Sequence, residues 1–188
     1  MIHHSKNRGV SMGLNSGIRL SRGNYIFSCS DDILMPDNNW FDESLNLLSL
    51  KGIGLVVWSF QVGGHRYEPS GELIEIDGRV VEIPIRTTIG PWMISRRMLD
   101  KFGYNDEGFG PWGYIDLDRW ERFKKIEDEI IVFGPGFPRQ ITEKNKKNVS
   151  AIPKKLRDIS REKNRERFLK KLDKSINAPK YWSPKNWK

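Results

Sequence analysis

The chain has 188 residues, a net charge of +8 and 37% hydrophobic residues. This length and composition exclude a disordered chain and predict one globular domain with a sizeable core. No apolar run approaches the roughly 20 residues that a membrane-spanning helix needs. The polar first residues predict no secretory signal, and the single cysteine, Cys29, excludes an internal disulfide. Both features indicate a cytoplasmic protein.

The positive charge is concentrated near the C-terminal end. Residues 139–188 hold 17 Lys/Arg and 5 Asp/Glu, whereas residues 1–138 hold 15 Lys/Arg and 19 Asp/Glu. The sequence therefore predicts a mildly acidic core over residues 1–138 and a basic helical extension over residues 139–188. The charge of the core is not typical of a surface that binds nucleic acid.

The first predicted element is a helix within residues 7–20. Val10, Leu14 and Ile18 recur near helical spacing and predict its buried face. Gly13 and Gly17 are expected to let this helix pack close to a sheet. Residues 21–23 end the helix with a glycine.

A short strand and an acidic turn follow. Residues 25–29 are rich in β-formers and predict a strand buried on both faces, with Cys29 inside it. Asp31 and Asp32 come directly after it, where ligands bind in open α/β sheets. Two adjacent carboxylates repel each other unless a cation is near, and such oxygen ligands suit Mg²⁺ or Mn²⁺. The alternative is that both residues only cap the turn before the next helix.

The later elements include both helices and strands, and we expect an α/β protein. Asp77-Gly78 between two apolar runs is a strong signal for a two-residue hairpin. The predicted elements are a helix over 40–50, strands over 53–60, 72–76, 79–83 and 87–95, helices over 96–102 and 115–125, a strand over 129–133 and a basic helix over 153–176.

A second acidic cluster follows a loop rich in glycine and aromatic residues at 103–113. Asp116 and Asp118 begin the next helix, where the helix dipole stabilises a carboxylate. Held near an acceptor hydroxyl, Asp116 is suited to act as a general base. The alternative is that it only decorates the start of the helix. Trp92 and Trp112 either stack on a ligand or belong to the core.

Two motifs in this order resemble family 2 glycosyltransferases with the GT-A fold, and the resemblance covers residues 5–125. The first motif leads from a helix through a strand to the acidic turn. The second joins the glycine-rich loop to the helix that follows it. The motifs read Asn7-x-Gly9-x(5)-Asn15-x-Gly17-Ile18-x(4)-Gly23-x-Tyr25-Ile26-x(4)-Asp31-Asp32-x(3)-Pro36, and Gly103-x-x-Asp106-Glu107-x-Phe109 followed by Asp116-x-Asp118-x(3)-Arg122.

The resemblance implies a partial GT-A mixed sheet flanked by helices, a nucleotide-sugar donor, and Mg²⁺ or Mn²⁺. It implies that Asp32 binds the metal and that Asp31 lies near the ribose or beside the metal ligands. It implies that Asn7, Gly9 and Asn15 contribute to donor binding. Asp116 would then deprotonate the acceptor hydroxyl in an inverting transfer. The acceptor would be a glycan, a lipid-linked molecule or a protein.

The sequence also departs from the family pattern. The match begins after the strand–helix–strand unit that holds the nucleotide base in the family, so residues 1–138 are expected to be a truncated core. Ile115 stands where the family signature has a glutamate, and no histidine follows residue 133. An inactive remnant that binds glycans or a partner is the alternative function.

The basic helix allows several interpretations. Its apolar residues are Leu156, Ile159, Phe168, Leu169, Leu172 and Ile176. The first interpretation is a solvated helix whose apolar stripe packs on the rest of the protein. The second is a helix that lies on an anionic membrane surface, which would make the protein peripheral at the membrane. Nucleic-acid binding is the third, and the helix lacks an aromatic-interleaved basic motif for it.

Overall fold

The computed structural model combines helices and strands, and it describes residues 5–36, 39–59, 61–62, 65–66, 71–84, 90–111, 113–140 and 153–173. This confirms the predicted α/β class. The helices are α1 (Val10–Leu20), α2 (Trp40–Ser49), α3 (Arg96–Phe102), α4 (Ile115–Phe123) and α5 (Lys154–Asp173). The strands are β1 (Tyr25–Ser28), β2 (Ile33–Leu34), β3 (Ile53–Val57), β4 (Gln61–Val62), β5 (His65–Arg66), β6 (Glu72–Ile76), β7 (Arg79–Ile83), β8 (Trp92–Ser95), β9 (Ile130–Phe133) and β10 (Arg139–Gln140).

None of the helices within these ranges is both long enough and apolar enough to cross a membrane. The contacts divide the chain into two compact units. Unit 1 consists of residues 1–23, 99–125 and 149–188, and unit 2 consists of residues 24–98 and 126–148. Each unit therefore combines segments that are far apart in the sequence.

The main sheet belongs to unit 2 and has four strands in the order β1-β8-β3-β9. Strand β8 is antiparallel to both of its neighbours, β1 and β3, whereas β3 and β9 are parallel. The sheet is therefore mixed, as the sequence predicts. Strands β1, β3 and β9 point in the same direction, so their carboxyl ends lie on the same side of the sheet. We call that side, where the three strands end, the edge of the sheet.

The core of unit 2 forms around the central strand β3, all five residues of which are buried. A strand buried on both faces reads as a continuous apolar run, which is why residues 53–57 were recognisable from the sequence. Helix α2 packs on β3 through Leu47, and the hairpin strand β7 adds Val81 to the same cluster. The predicted hairpin is confirmed: Asp77 and Gly78 have φ values of 49° and 77°, which suit a two-residue turn.

Strand β1 differs from its prediction. It ends at Ser28, and only Ile26 is buried, while Tyr25 is exposed. Cys29 follows the strand and is exposed instead of buried. The physical reason is position, because β1 lies at the end of the strand order and has one neighbour, β8. An edge strand is covered less completely than a central one such as β3.

The buried face of α1 also differs from its prediction. Ser11, Asn15 and Ile18 are the buried residues, whereas Val10 is exposed. A Cβ atom at Gly13 or Gly17 would meet no atom within 4 Å, so neither glycine serves a close helix contact. Asn15 is buried because its side chain makes four hydrogen bonds to Asn105 and Glu107 within unit 1.

Helix α5 confirms the predicted basic helix, although its contact face was wrongly predicted. Phe168 is the one member of the predicted stripe that is buried; Leu156, Ile159, Leu169 and Leu172 are exposed, and Ile176 lies outside the described residues. Ser160 and Asn164 are buried instead. The helix therefore packs through Ser160 and Asn164 as well as through Phe168, which meets Phe109 and Ile115 in an apolar cluster.

Candidate functional site

The acidic turn of unit 2 follows β1 at the edge where three strands end. Ser28 of β1 pairs with Trp92 of β8, Trp92 pairs with Val57 of β3, and Val57 pairs with Phe133 of β9. These four residues form one row across the sheet, so the segments after β1, β3 and β9 leave from the same edge. Ligands bind at this kind of edge in open α/β sheets.

Asp31 and Asp32 occupy a tight turn in which the Ile33 amide donates to the Ser30 carbonyl at 3.2 Å. Asp31 is exposed and Asp32 is half-buried. Partial burial of the thiol raises the pKa of Cys29, and the negative charge of Asp32 raises it further. The thiol therefore stays neutral at pH 7.

The floor beneath this edge is aromatic. Trp58 follows β3, is completely buried, and donates its indole N–H to the Pro135 carbonyl at 3.1 Å. Its ring meets Phe27 and Trp40 edge to face at centroid distances of 5.8 and 5.9 Å. A Cβ atom at Gly134 would lie 2.2 Å from the Trp58 ring, so this position requires glycine. The edge therefore has a rigid apolar base.

Few of the side chains that the structure describes at this edge could bind a metal ion. Among the described residues, no three side chains of the types His, Cys, Asp and Glu lie together as a ready metal site. Mg²⁺ is commonly held by one or two carboxylates together with substrate phosphates. A half-buried carboxylate such as Asp32 fits that donor set, and Asp31 is adjacent to it in the turn.

Unit 1 holds the second predicted site residue, Asp116, in the first turn of α4. Gly113 and Tyr114 both have positive φ values, 84° and 66°, and this reversal of the chain begins the helix. The Asp116 side chain is 38% exposed, and its Oδ1 lies 3.3 Å from Nη1 of Arg119. Asp116 is therefore accessible to a solvent-borne group and is oriented by a guanidinium.

Arg119 connects Asp116 to the loop at 103–111. Its guanidinium is buried and donates from Nε and Nη2 to the Asn105 side-chain oxygen, at 3.3 Å in each case. Burial lowers the pKa of Arg119, and the Asp116 carboxylate opposes this shift. Because a guanidinium keeps its charge under these conditions, Arg119 is a fixed donor beside Asp116.

Asn15 has a buried position in unit 1. Its Oδ1 accepts from the backbone N–H and the side-chain amide of Asn105, at 2.9 and 3.1 Å. Its Nδ2 donates to the Asn105 carbonyl at 2.9 Å and to Glu107 at 2.8 Å. These four bonds occupy the full capacity of the amide, so Asn15 holds the loop to α1. Its predicted contact with a donor stays a prediction.

Asn7 and Gly9 prepare the start of α1. The Asn7 side chain accepts from the Gly9 amide at 2.9 Å. Gly9 has a φ of 85°, and a Cβ atom there would lie 3.2 Å from Cα of Pro111. The two residues therefore shape the approach of the chain to the loop at 103–111, and their predicted contact with a donor also stays a prediction.

The main charged cluster of unit 1 was missed by the sequence analysis as a site. Asp106 has 0% of its side chain exposed and accepts two parallel bonds from Nε and Nη2 of Arg167, both at 2.8 Å. It also accepts from the Gly108 amide at 2.8 Å and from Lys171 at 3.2 Å. Burial alone would raise the pKa of Asp106, but the bond from Arg167 and the charge of Lys171 hold it below its usual value.

A second buried ion pair lies beside this cluster. Asp118 accepts from Nε of Arg122 at 2.9 Å, and it also contacts Lys171. Arg122 donates from Nη1 to the Phe102 carbonyl at 3.0 Å, and its guanidinium lies 4.3 Å from the centre of the Phe102 ring. Two residues of the second motif, Asp118 and Arg122, thus join α4 to the end of α3.

Asn164 of α5 fastens the glycine-rich loop from the other side. Its Oδ1 accepts from the Gly110 amide at 2.7 Å, and its Nδ2 donates to the Gly113 carbonyl at 3.0 Å. A Cβ atom at Gly110 would lie 2.8 Å from Oγ of Ser160. The glycine is therefore needed for the loop to lie flat on the helix. Asn164, Arg167 and Lys171 recur at helical spacing, but other charged residues of α5 have the same spacing, so the sequence does not single these three out.

Of the two predicted tryptophans, Trp92 is buried in the main sheet, which agrees with a core role, and Trp112 lies outside the described residues. No model of a known protein family matches the chain, and no curated protein matches it. The functional interpretation therefore rests on the motifs and on the geometry of the two acidic sites.

Proposed function

We propose that this chain carries the catalytic core of a family-2-like glycosyltransferase that moves a sugar from a nucleotide-sugar donor to an acceptor hydroxyl with inversion. The observation that carries the proposal is the half-buried Asp32 on a tight turn at the edge where β1, β3 and β9 end. That edge is the general ligand-binding position of open α/β sheets. The two-part sequence resemblance, in the same order along the chain, adds the reaction class.

In this proposal Asp32 holds a divalent cation, Mg²⁺ or Mn²⁺, that supplies positive charge to the leaving diphosphate. Asp31, in the same turn, is the exposed carboxylate and suits a hydroxyl of the ribose. The buried Trp58 packs edge to face on Phe27 of β1, the strand that leads into the turn.

Asp116 is the proposed general base. It takes the proton of the acceptor hydroxyl while the acceptor oxygen bonds to the anomeric carbon. The bond from that carbon to the diphosphate breaks, and its electron pair leaves with the diphosphate. Arg119, 3.3 Å away, orients the carboxylate. The exposed fraction of the Asp116 side chain provides access for an acceptor.

The loop at 103–111 positions this base through contacts within unit 1. Asn105 receives the Arg119 guanidinium, and Asn15 holds Asn105 in turn. A base must keep its place relative to the proton that it accepts, and small displacements have large effects on rate. Asn15 and Asn105 are positioning residues in this proposal, since neither contacts the reacting atoms.

The first test is calorimetric titration of the protein with UDP and GDP, each with and without Mn²⁺. We expect binding that requires the metal in the wild type and that is weakened at least tenfold by Asp32→Asn. Asp42→Asn, an exposed carboxylate on α2 in the same unit, is the matched control and should bind like the wild type. Equal nucleotide affinity with and without metal, in wild type and variant alike, would remove Asp32 as the metal ligand.

The alternative function is a protein that binds a glycan or another partner without transferring sugar. Metal-dependent nucleotide binding separates the two, because a binding protein that has lost transfer has no need of the diphosphate. A folded chain that binds neither nucleotide, but retains a glycan on an array, would favour the alternative.

A further inference from the structure

A cavity in unit 1 is lined by residues other than Asn15, Asn105, Asp116 and Arg119, the residues of unit 1 that the proposed transfer names. It has a volume of about 460 Å³ and is formed where the glycine-rich loop meets α5. The loop contributes Gly110 and Pro111, and the helix contributes Leu156, Ile159, Lys163 and Arg167. A volume of several hundred Å³ is typical of sites for small molecules. One wall is aliphatic and the other is cationic.

The cationic wall is preorganised. Arg167 is held by two parallel bonds to the fully buried Asp106, which use its Nε and Nη2. Its Nη1 makes no hydrogen bond to any residue that the structure describes, and 42% of its side chain remains exposed. A guanidinium fixed on one side presents its remaining donors in one direction, and this lowers the entropic cost of binding an anion.

Lys163 adds a second positive charge to the cationic wall. It lies one turn before Arg167 on α5, at the spacing that brings two side chains to the same face. Asp106 balances Arg167, and Asp118 balances Lys171, whereas Lys163 forms no ion pair within the described part of the chain. The cavity therefore has an excess of positive charge at one end.

The aliphatic wall limits the kind of anion. Leu156 is 55% exposed and Ile159 is 43% exposed, and both line the cavity next to Pro111. A bare inorganic anion would leave this surface in contact with water. A ligand with an apolar body would bury this surface, and removing apolar surface from water favours binding. The two walls together describe an amphipathic anion.

We propose that this cavity binds a phosphate monoester that carries an apolar body, with Lys163 and Arg167 on the phosphate and with Leu156 and Ile159 on the body. A phosphate monoester fits better than a carboxylate because two cations, one of them a fixed guanidinium, match its charge and its three acceptor oxygens. The site shares no residue with the acidic turn of unit 2.

The test uses the full chain and hexyl phosphate as the probe, measured by calorimetric titration. We expect hexyl phosphate to bind at least fivefold tighter than inorganic phosphate and much tighter than hexanol. Lys163→Gln should weaken hexyl phosphate about tenfold, as the loss of one charge-assisted contact does. Lys155→Gln, an exposed cation on α5 that does not line the cavity, is the matched control and should have no effect.

A second variant changes the aliphatic wall of the cavity and leaves the ion pair between Arg167 and Asp106 intact. Leu156→Glu replaces an exposed side chain of the aliphatic wall with a negative charge, so the fold should survive and hexyl phosphate binding should be lost. Equal binding of hexyl phosphate and inorganic phosphate would overturn the proposal, and so would unchanged affinity in Lys163→Gln. A negative result for hexyl phosphate would not change the expected metal-dependent binding of nucleotide, because that binding depends on other residues.

Vesicles of phosphatidylcholine with added phosphatidic acid distinguish the source of the phosphate. Co-sedimentation that Lys163→Gln abolishes and Lys155→Gln preserves would mean that the ester is a lipid head group. Hexyl phosphate binding without co-sedimentation would mean a soluble ester. Co-sedimentation that both variants reduce equally, without hexyl phosphate binding, would contradict the cavity and indicate attraction by the charge of α5 alone.

Discussion

Asp106 and Arg167 form a two-bond ion pair in which the carboxylate has no exposed surface, and 61 positions of sequence separate the two residues. The pair joins the glycine-rich loop to α5 within unit 1. Its carboxylate belongs to the second motif, whereas its guanidinium lies in the basic helix. The buried Asp106 of the second motif therefore depends for its charge balance on Arg167, which comes much later in the chain.

Replacing Asp106 by asparagine should lower the free energy of unfolding by about 2–3 kcal/mol. Breaking a buried ion pair costs more, about 3–5 kcal/mol, but Arg167 keeps part of its side chain in water. Urea unfolding followed by circular dichroism measures the change. Glu162→Gln removes the exposed pair with Arg165 and should change stability by less than about 0.5 kcal/mol. Equal effects of the two variants would contradict the importance of the buried pair.

The stability difference between wild type and Asp106→Asn should depend on pH. The folded-state pKa of Asp106 lies below its usual value of 3.8, so below that value the unfolded state binds more protons than the folded state. Stability from this group is therefore fully present above about pH 5 and is lost as the pH falls below 4. Urea unfolding from pH 3 to pH 7 should show the two curves converging in acid. Curves that stay parallel down to pH 3 would contradict this.

Gly134→Ala should destabilise unit 2, because the added Cβ atom would lie 2.2 Å from the completely buried Trp58 ring. Overpacking of this kind costs about 1–3 kcal/mol. Thermal unfolding and near-ultraviolet circular dichroism of the aromatic cluster measure the effect. Gly17→Ala is the matched control: its Cβ meets open space inside α1, so it should stabilise the chain by about 0.5–1 kcal/mol.

Asn164→Ala should release the glycine-rich loop from α5. The variant leaves the Gly110 amide and the Gly113 carbonyl without the partner that the wild type supplies, at a cost of about 1–3 kcal/mol. Hydrogen exchange resolved by residue should then show faster exchange at Gly110, while Arg165→Ala, an exposed neighbour, should leave that rate unchanged. An unchanged Gly110 rate in Asn164→Ala would show that the loop is held by other contacts.

Asp116→Asn tests the proposed base. We expect transfer to fall by about 10²–10⁴-fold, while metal-dependent donor binding stays within twofold of the wild type. Glu121→Gln, on the same helix and paired at the surface with Lys124, is the control and should transfer normally. A variant at Asp116 that transfers at the wild-type rate would exclude this residue as the base.

The helices and strands that bury apolar side chains could be predicted from the sequence. The helix faces that bury polar side chains could not. Strand β3 and the hairpin at Asp77-Gly78 were recognisable, because a continuous apolar run and a turn dipeptide are local signals. The contact faces of α1 and α5 were mispredicted because Asn15 and Asn164 are buried by hydrogen bonds. Hydrophobic periodicity does not register such contacts.

The candidate sites divide in a similar way. Asp31, Asp32 and Asp116 were found because they follow recognisable elements, a strand in one case and a glycine-rich loop in the other. The cluster around Asp106 was not found as a site, because its cations, Arg167 and Lys171, come from a distant helix in which most residues are charged. Only the three-dimensional structure selects these two cations from the others.

The bond between Asp106 and Arg167 also sets an order of events during synthesis. A ribosome that has added Asp106 must add 61 further residues to reach Arg167, whose guanidinium pairs with Asp106. Until Lys171 has been added, the carboxylates of Asp106 and Asp118 lack the lysine that both contact, and these ion pairs to α5 cannot form. Unit 1 therefore completes its folding only after α5 has been made, and the α5 of a second chain would satisfy the same bonds if it arrived first.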